Sequence, residues 1–314
     1  MMAISFHGIM EVLVIGIAGF LVMSGFKGSE EAMNFLTRLV IRVTLPCLVF
    51  TTFVTRFEPG KIEYWWAFPL LAVVINVLGV TVARGYVAID KTIKYPGDFM
   101  ALVGFQNGVF LPLAFAPVLF GPDKLPQFLN LVFLYNLLSI PTFFTLAVWL
   151  VNLNDSLASR LKTVINPPNL GTILGLVCAM TGIGAHIPEW VIRPLTAVGS
   201  MSSTLACFFV GGIIVTNLRK AGLDNISVPV KSTILKSFLF PAFASLLVYI
   251  VRPPEYIALF IIMQSVMPSA LMIALITPNV PERQHTIAGG ILLSSLISIL
   301  TIPLFMGIYG ALYG

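Results

Sequence analysis

Ten apolar runs, each about the ~20 residues a helix needs to cross a bilayer, fill nearly all of this 314-residue chain. They fall near 8–26, 36–55, 64–84, 99–119, 128–150, 169–187, 194–217, 232–251, 256–276 and 286–309. Only helices and closed barrels satisfy their backbone polar groups in hydrocarbon. None of the runs has the two-residue alternation of a strand, so a helix is predicted for each. The gaps are short and leave no room for a soluble domain.

Composition agrees. Hydrophobic residues make up 58% of the chain and charged residues 10%, against roughly 45–50% and about 25% in soluble domains. Mean hydropathy is +0.97. So few charges cannot cover a water-soluble globule, which excludes a soluble enzyme, a disordered chain and a disulfide-stapled secreted domain. The net charge of +5 comes from basic residues in the gaps and not from a basic stripe, so nucleic acid is not an expected partner. Cys47, Cys178 and Cys207 lie inside apolar runs without CxxC spacing. Neither a disulfide framework nor a metal site is predicted, and no cofactor. Met1 to Met10 has no Lys or Arg and no cleavage site, and reads as the start of a retained first span.

The basic residues also report sidedness. Arg56, Lys61, Lys124, Arg193 and Arg252 fall to one set of alternate gaps, and the rest of the 18 to the other. The positive-inside rule then puts both termini outside the cytoplasm. The bias does not reverse along the chain, as it would if a span were missed or invented.

The longest mid-chain polar stretch separates five runs from five. Residues 1–152 are the expected first repeat, 153–168 a cytoplasmic linker and 169–314 the second repeat. Repeats with an odd number of spans must be inverted relative to each other. Prolines match in place: Pro69 with Pro241, Pro112 with Pro268, Pro141 with Pro303.

Charge is absent from the middle of the runs. Glu11, Arg38, Arg42, Arg84 and Lys236 lie near span ends, as do His7, His186 and His285. A proton or cation antiporter normally carries a mid-membrane carboxylate. An intramembrane protease needs paired acids, a Ser/His pair or a metal. Neither pattern is present, and no enzyme is expected.

Two runs are interrupted by polar residues. Span 4 carries Gly104, Gln106, Asn107, Gly108 and Pro112; span 9 carries Gln264, Ser265, Pro268 and Ser269. Proline removes a donor and clashes with the preceding turn. The backbone groups freed by a break are tolerated at membrane depth only where protein or a watery cavity satisfies them. One break per half points to a transport site, with half-helix N-termini offering N–H groups to an anion. The other reading is that Pro112 and Pro268 only kink packed helices, with the polar side chains as interhelical glue. Asn136 and Ser139 in span 5 could line the same cavity. Asn76 in span 3 is more simply read as glue, and Arg38 and Arg42 as snorkelling interfacial residues. Gly199, Ser202, Ser203, Gly211 and Gly212 in span 7 suit close helix packing or a dimer face.

Three stretches are similar to the auxin efflux carrier family. They are the opening Leu13-VIGIAGFLVMSGFKGSEEAMNFLTRLVIRVTLPCLVF, the Asn166-Pro-Pro-Asn-Leu entry to span 6, and the ending Met267-PSALMIALITPNVPERQHTIAGGILLSSLISILTIPLF. The resemblance implies an all-α membrane protein with ten transmembrane helices in two inverted five-helix repeats, related in outline to bile acid/sodium symporters. It implies a scaffold of spans 1, 2, 6 and 7. A transport domain of spans 3–5 and 8–10 would move as an elevator, with broken helices 4 and 9 crossing at the substrate. Asn107 matches the family's span-4 asparagine, which would face a substrate carboxylate. Pro268 matches the crossover proline, and Asn136 falls near a substrate-facing asparagine of span 5. Family members often carry Gly and then Pro five and seven positions after the span-4 asparagine; Pro112 and Ala114 stand there instead, a departure that could shift the crossing point. The long cytoplasmic loop of many plant members is absent.

The expected function is therefore secondary transport of small organic anions, either auxin-like carboxylates or dicarboxylates. Substrate contacts are expected at Gln106, Asn107, Gly108, Asn136, Gln264, Ser265 and Ser269, and the crossover at Pro112 and Pro268. The alternatives are a sodium-coupled symporter of the bile-acid type and a non-transporting sensor with the same pocket. The coupling ion, Na⁺ or H⁺, and homodimer formation stay open.

Overall fold

The computed structural model describes residues 6–58, 60, 63–120, 124–151, 166–220, 226–278 and 280–313. Residues 153–165 of the expected linker lie outside them. Among the described residues the structure is helical throughout, without a named strand.

We number the helices in chain order: α1 Phe6–Gly25, α2 Ser29–Arg56, α3 Ala67–Ile89, α4 Pro96–Gly104, α5 Phe110–Leu119 and α6 Leu125–Leu150. There follow α7 Pro167–Thr181, α8 Glu189–Lys220, α9 Ser227–Val251, α10 Glu255–Val266, α11 Ile273–Ile276 and α12 Pro281–Tyr313. Within the described residues, α2, α3, α6, α9 and α12 are long and apolar enough to cross a bilayer, and α8 is a sixth if its two segments, bent by 42°, form one span. The remaining apolar runs are helical too. Those near 99–119 and 256–276 are each split into two pieces.

Proline chemistry explains the interruptions in the long helices. A π-helical turn at Val40–Thr44 precedes Pro46 in α2, and another at Leu235–Leu239 precedes Pro241 in α9. A proline ring collides with the carbonyl four residues back, and a local widening of the helix accommodates it. At α7, Asn166 is the N-cap, Pro167 and Pro168 open the helix, and Gly182 (φ 74°) ends it in the left-handed region.

α1 packs along α8, and the second part of α2 packs on α7 and α8. Separately, α3 packs on α4 and α6, and α12 on α9 and α10. The α1–α8 contact needs glycine: a Cβ on Gly211 would lie 1.8 Å from the Gly16 carbonyl oxygen. Gly199 meets the Leu48 backbone in the same way, and buried Ser202 donates to Thr44 Oγ1 at 2.8 Å. The small residues of α8 are thus used inside the chain, and this stripe is not a free face for a second copy.

Ion pairs gather at one end of the molecule. Lys231 meets Asp90 at 2.7 Å, Lys94 meets Glu282 at 2.5 Å, and Arg283 grips Asp98 with two nitrogens at 2.7 and 2.5 Å. Lys220 pairs with Glu30 at 2.6 Å, and Arg219 donates to Ser29. The gaps flanking α2, α4, α9 and α12 that sequence assigned to one side do share a face. The Lys231 ammonium and the Thr92 hydroxyl hold the Asp90 carboxyl down at about 2. Hydrogen bonding to Glu282 raises Lys94. At the other end the Tyr256 hydroxyl donates to the Glu63 carbonyl, and Tyr313 to that of Pro253 at 2.8 Å.

Lys236 departs from its expected place at a span end. It is fully buried, Nζ has no hydrogen-bond partner among the described residues, and the ammonium sits 5.0 Å from the centre of the Phe240 ring. The sequence puts Lys236 only a few residues inside an apolar run, but the packing of α4, α10 and α12 over this turn closes it off.

Candidate functional site

Both broken runs are interrupted where the backbone must leave the helix. α10 ends at Val266, and Met267 is extended (φ −60°, ψ 138°), as expected of a residue before proline. α4 ends at Gly104, with Phe105 extended (φ −115°, ψ 129°). Here glycine permits close approach: its Cβ would lie 2.4 Å from Val80 Cγ2 on α3.

The two extended segments run antiparallel and join at Gln106 and Ser269. Asn107 N donates to Pro268 O at 2.8 Å, and Ala270 N to Phe105 O at 3.0 Å. Ser269 Oγ donates to Leu102 O at 2.6 Å, and Ser269 N to Ser294 Oγ at 3.2 Å. Asn136 Nδ2 donates to Gly108 O at 3.0 Å and to Val132 O at 2.7 Å. Groups freed by each break are thus satisfied by the other break and by α6 and α12, as membrane depth requires.

A cavity of about 340 Å³ opens beside this crossing. Ile41, Leu45 and Val49 of α2 and Pro168, Asn169 and Thr172 of α7 form one wall. The opposite wall is the chain from Phe105 to Phe110, Asn76 of α3, the α6 residues Phe133, Asn136, Ser139, Ile140 and Phe143, and Ala270, Leu271 and Met272. Asn166 completes the lining, which among the described residues contains no Lys, Arg, His, Asp or Glu.

The lining is mostly apolar, and its polar groups are amides, hydroxyls and backbone groups. Asn107 Oδ1 accepts from Phe110 N in the first turn of α5 at 3.3 Å, which leaves its Nδ2 as the donor for a ligand. The positive end of α5 lies at the cavity. The start of α7 is different: Pro167 and Pro168 have no N–H, and Asn169 N is already taken by Asn166 Oδ1 at 2.9 Å. No group of three His, Cys, Asp or Glu side chains suited to a metal occurs among the described residues.

Gln106, Asn107, Gly108 and Asn136 come together at the cavity. Gln264, Ser265 and Ser269 do not line it. Ser269 is spent on the crossing, Ser265 Oγ donates to Ile262 O at 2.7 Å, and Gln264 lies behind Gly108. Pro268 takes part through its carbonyl. Pro112 is in the first turn of α5, past the crossing, because Gly104 and the extended Phe105 end α4 well before it. Asn166, Asn169 and Thr172 were not expected at the site; the signal was the Asn-Pro-Pro-Asn helix start, a capping pattern that places polar groups where a helix begins.

The family model for membrane transport proteins matches residues 4–151 and 150–306. The chain belongs to this family, that of the auxin efflux carriers. No curated protein matches it. This member of the membrane transport protein family is a multi-pass integral membrane protein. Its apolar outer surface, with Leu21, Leu174, Ile250 and Leu300 exposed, is the surface such a protein turns to lipid.

Proposed function

We propose that the chain is an elevator-type secondary transporter of small organic anions. It would have ten spans in two inverted repeats and both termini outside the cytoplasm. The observation that carries the reading is the antiparallel crossing of two broken helices, Gln106 against Ser269, at the wall of a mostly apolar cavity that holds a few amide side chains and, among the described residues, no cationic one. A carboxylate would meet Asn107 Nδ2 and the first turn of α5. It would be held by dipoles that need no ionic partner, so release would not require breaking a buried ion pair.

The helix contacts support the repeat reading. Moving each span five places along exchanges the α1–α8 pair with the α7–α2 pair, and the α3–α6 pair with the α9–α12 pair. The same contacts support a scaffold of spans 1, 2, 6 and 7 against a transport domain of spans 3–5 and 8–10, with the cavity between them.

The test is flux of labelled monocarboxylates and dicarboxylates into proteoliposomes, with and without a sodium gradient, comparing wild type with Asn107→Ala. Saturable flux lost in the variant is the expected result. Unchanged flux in a folded variant removes Asn107 from the site, and saturable binding without flux would make the protein a sensor. One observation favours a sodium-coupled second reading: both polar atoms of buried Gln264 are unpartnered among the described residues, and its Oε1 would lie 3.2 Å from a Cβ on Gly108. Flux that requires sodium would select it.

A further inference from the structure

A second cavity, of about 220 Å³, lies between the α1–α2 turn and the end of α8, apart from the crossing. Its walls are charged. Arg219 of α8 donates to Ser29 Oγ at 2.6 Å and to the Ser24 and Phe26 carbonyls, and Lys220 pairs with Glu30 at 2.6 Å. These contacts tie the turn to α8. Two lining charges are left over: Lys27 and Glu31, both exposed, make no hydrogen bond or ion pair among the described residues. The Glu31 carboxylate lies against the turn next to Lys27, with Oε2 3.3 Å from where a Cβ on Gly28 would sit. Opposite charges thus border one cavity without meeting each other. Apolar side chains adjoin it. Phe26 precedes Lys27, Leu218 precedes Arg219, and Phe35 lies one turn along α2 from Glu31; all three are more than half exposed, on the surface the chain turns to lipid.

We propose that this cavity holds the phosphoethanolamine headgroup of a membrane phospholipid: Lys27 donates to the phosphate, and Glu31 accepts from the primary ammonium. The charges select among headgroups. A headgroup that is only anionic, such as phosphoglycerol, would leave Glu31 unpaired beside a like charge. A choline headgroup carries the cation, but its methylated nitrogen has no N–H to donate. A zwitterion with a primary ammonium answers both groups, in a lining whose three basic and two acidic side chains are nearly balanced. The same chemistry occurs in soluble phosphoethanolamine esters. The surroundings favour the lipid, because a polar cavity bordered by exposed apolar side chains suits an amphiphile, and basic pockets at the membrane boundary are headgroup sites. The inference rests on the membrane habit of the chain and not on what it transports.

The test is native mass spectrometry of the purified full chain in detergent, with phospholipids of identical acyl chains that carry ethanolamine, choline or glycerol headgroups. In wild type the ethanolamine lipid is expected to bind about fivefold tighter than either of the others, the size of one partly exposed ion pair. Glu31→Ala should bring the ethanolamine and choline lipids to near-equal affinity. Lys27→Gln should weaken both by a common factor of about three to five, and so preserve their ratio. Both side chains are exposed, so both variants should melt as wild type does. Equal binding of ethanolamine and choline lipids to wild type overturns the headgroup assignment without recourse to any variant. Tightest binding of the glycerol lipid overturns it too, and would leave a plain anion site. An ethanolamine preference that survives in Glu31→Ala overturns the role of Glu31. Soluble glycerophosphoethanolamine separates the two sources: weak competition is expected, and displacement of the lipid at equal concentration would overturn the lipid in favour of a free phosphoester.

Discussion

The two broken helices do different work at their meeting point. The first break, from Phe105 to Val109, turns Gln106, Asn107 and Gly108 to the cavity. The second, from Met267 to Met272, commits Ser269 and the Pro268 carbonyl to holding the crossing, and offers the cavity only Ala270, Leu271 and Met272. Similar breaks in the two halves therefore do not imply equivalent chemistry. On the proposed function the first break would carry recognition and the second the frame, because a backbone opened at membrane depth must first be satisfied before its side chains are free for a ligand.

Separating the two roles experimentally gives the largest expected effect first. Asn107→Ala should weaken ligand binding about hundredfold, in line with the loss of ~2–3 kcal/mol for a hydrogen bond to a charged group. Its stability should change little, since Oδ1 makes only the 3.3 Å bond to Phe110 N; titration calorimetry beside a thermal melt would check both. A severe melt defect would erase the distinction between the two breaks.

Gly104→Ala should destabilise the fold by about 1–3 kcal/mol, because the added methyl meets Val80 and its backbone where α4 must end. Ser269→Ala should cost about 1–2 kcal/mol of stability with ligand affinity largely kept, the inverse of Asn107→Ala, since the lost bond is to the Leu102 carbonyl and not to a ligand. Denaturation in mixed micelles reads both.

Away from the crossing, Lys236→Met should raise stability by about 1 kcal/mol or more: it replaces a buried, unpartnered ammonium with an apolar chain of similar length. A lower melting temperature would mean that Lys236 has a partner in another conformation. The smallest effect concerns the end where the ion pairs gather. The Asp90 carboxyl sits at about 2 in the fold, below its usual value near ~4. Its contribution is present above the unfolded value and is lost as pH falls toward 2. Asp90→Asn should flatten the melting temperature against pH across that window and leave neutral pH nearly unchanged.

Much of this was legible before the fold. Pro268 forces Met267 out of the helix, and Gly104 marks the end of α4, so the break positions follow from local backbone sterics. The first crossing lies at Gln106 and not at Pro112, since Gly104 and the extended Phe105 end α4 before that proline is reached. Proline is tolerated in the first turn of a helix, where its missing N–H has no intrahelical bond to make, so Pro112 starts α5 without displacing the crossing. Asn76, read as glue, has an Nδ2 without a partner among the described residues, and Ser269, expected at the substrate, donates to the Leu102 carbonyl. Each is one polar residue in an apolar run, and composition cannot say whether a neighbour has claimed its hydrogen bonds.

Sequence by itself determined the membrane habit, the helical elements, the shared face of the basic gaps and the two interruptions. Each depends on nearby residues and on the high cost of unpaired polar groups in hydrocarbon. Tertiary structure alone decided that Phe105 pairs with Ala270, that Asn166 and Asn169 come to the cavity, that Lys236 is sealed, and that Asn76 Nδ2 has no partner among the described residues. Those outcomes depend on contacts between segments up to about half the chain apart, and hydrogen-bond satisfaction belongs to the packed neighbourhood and not to any one residue.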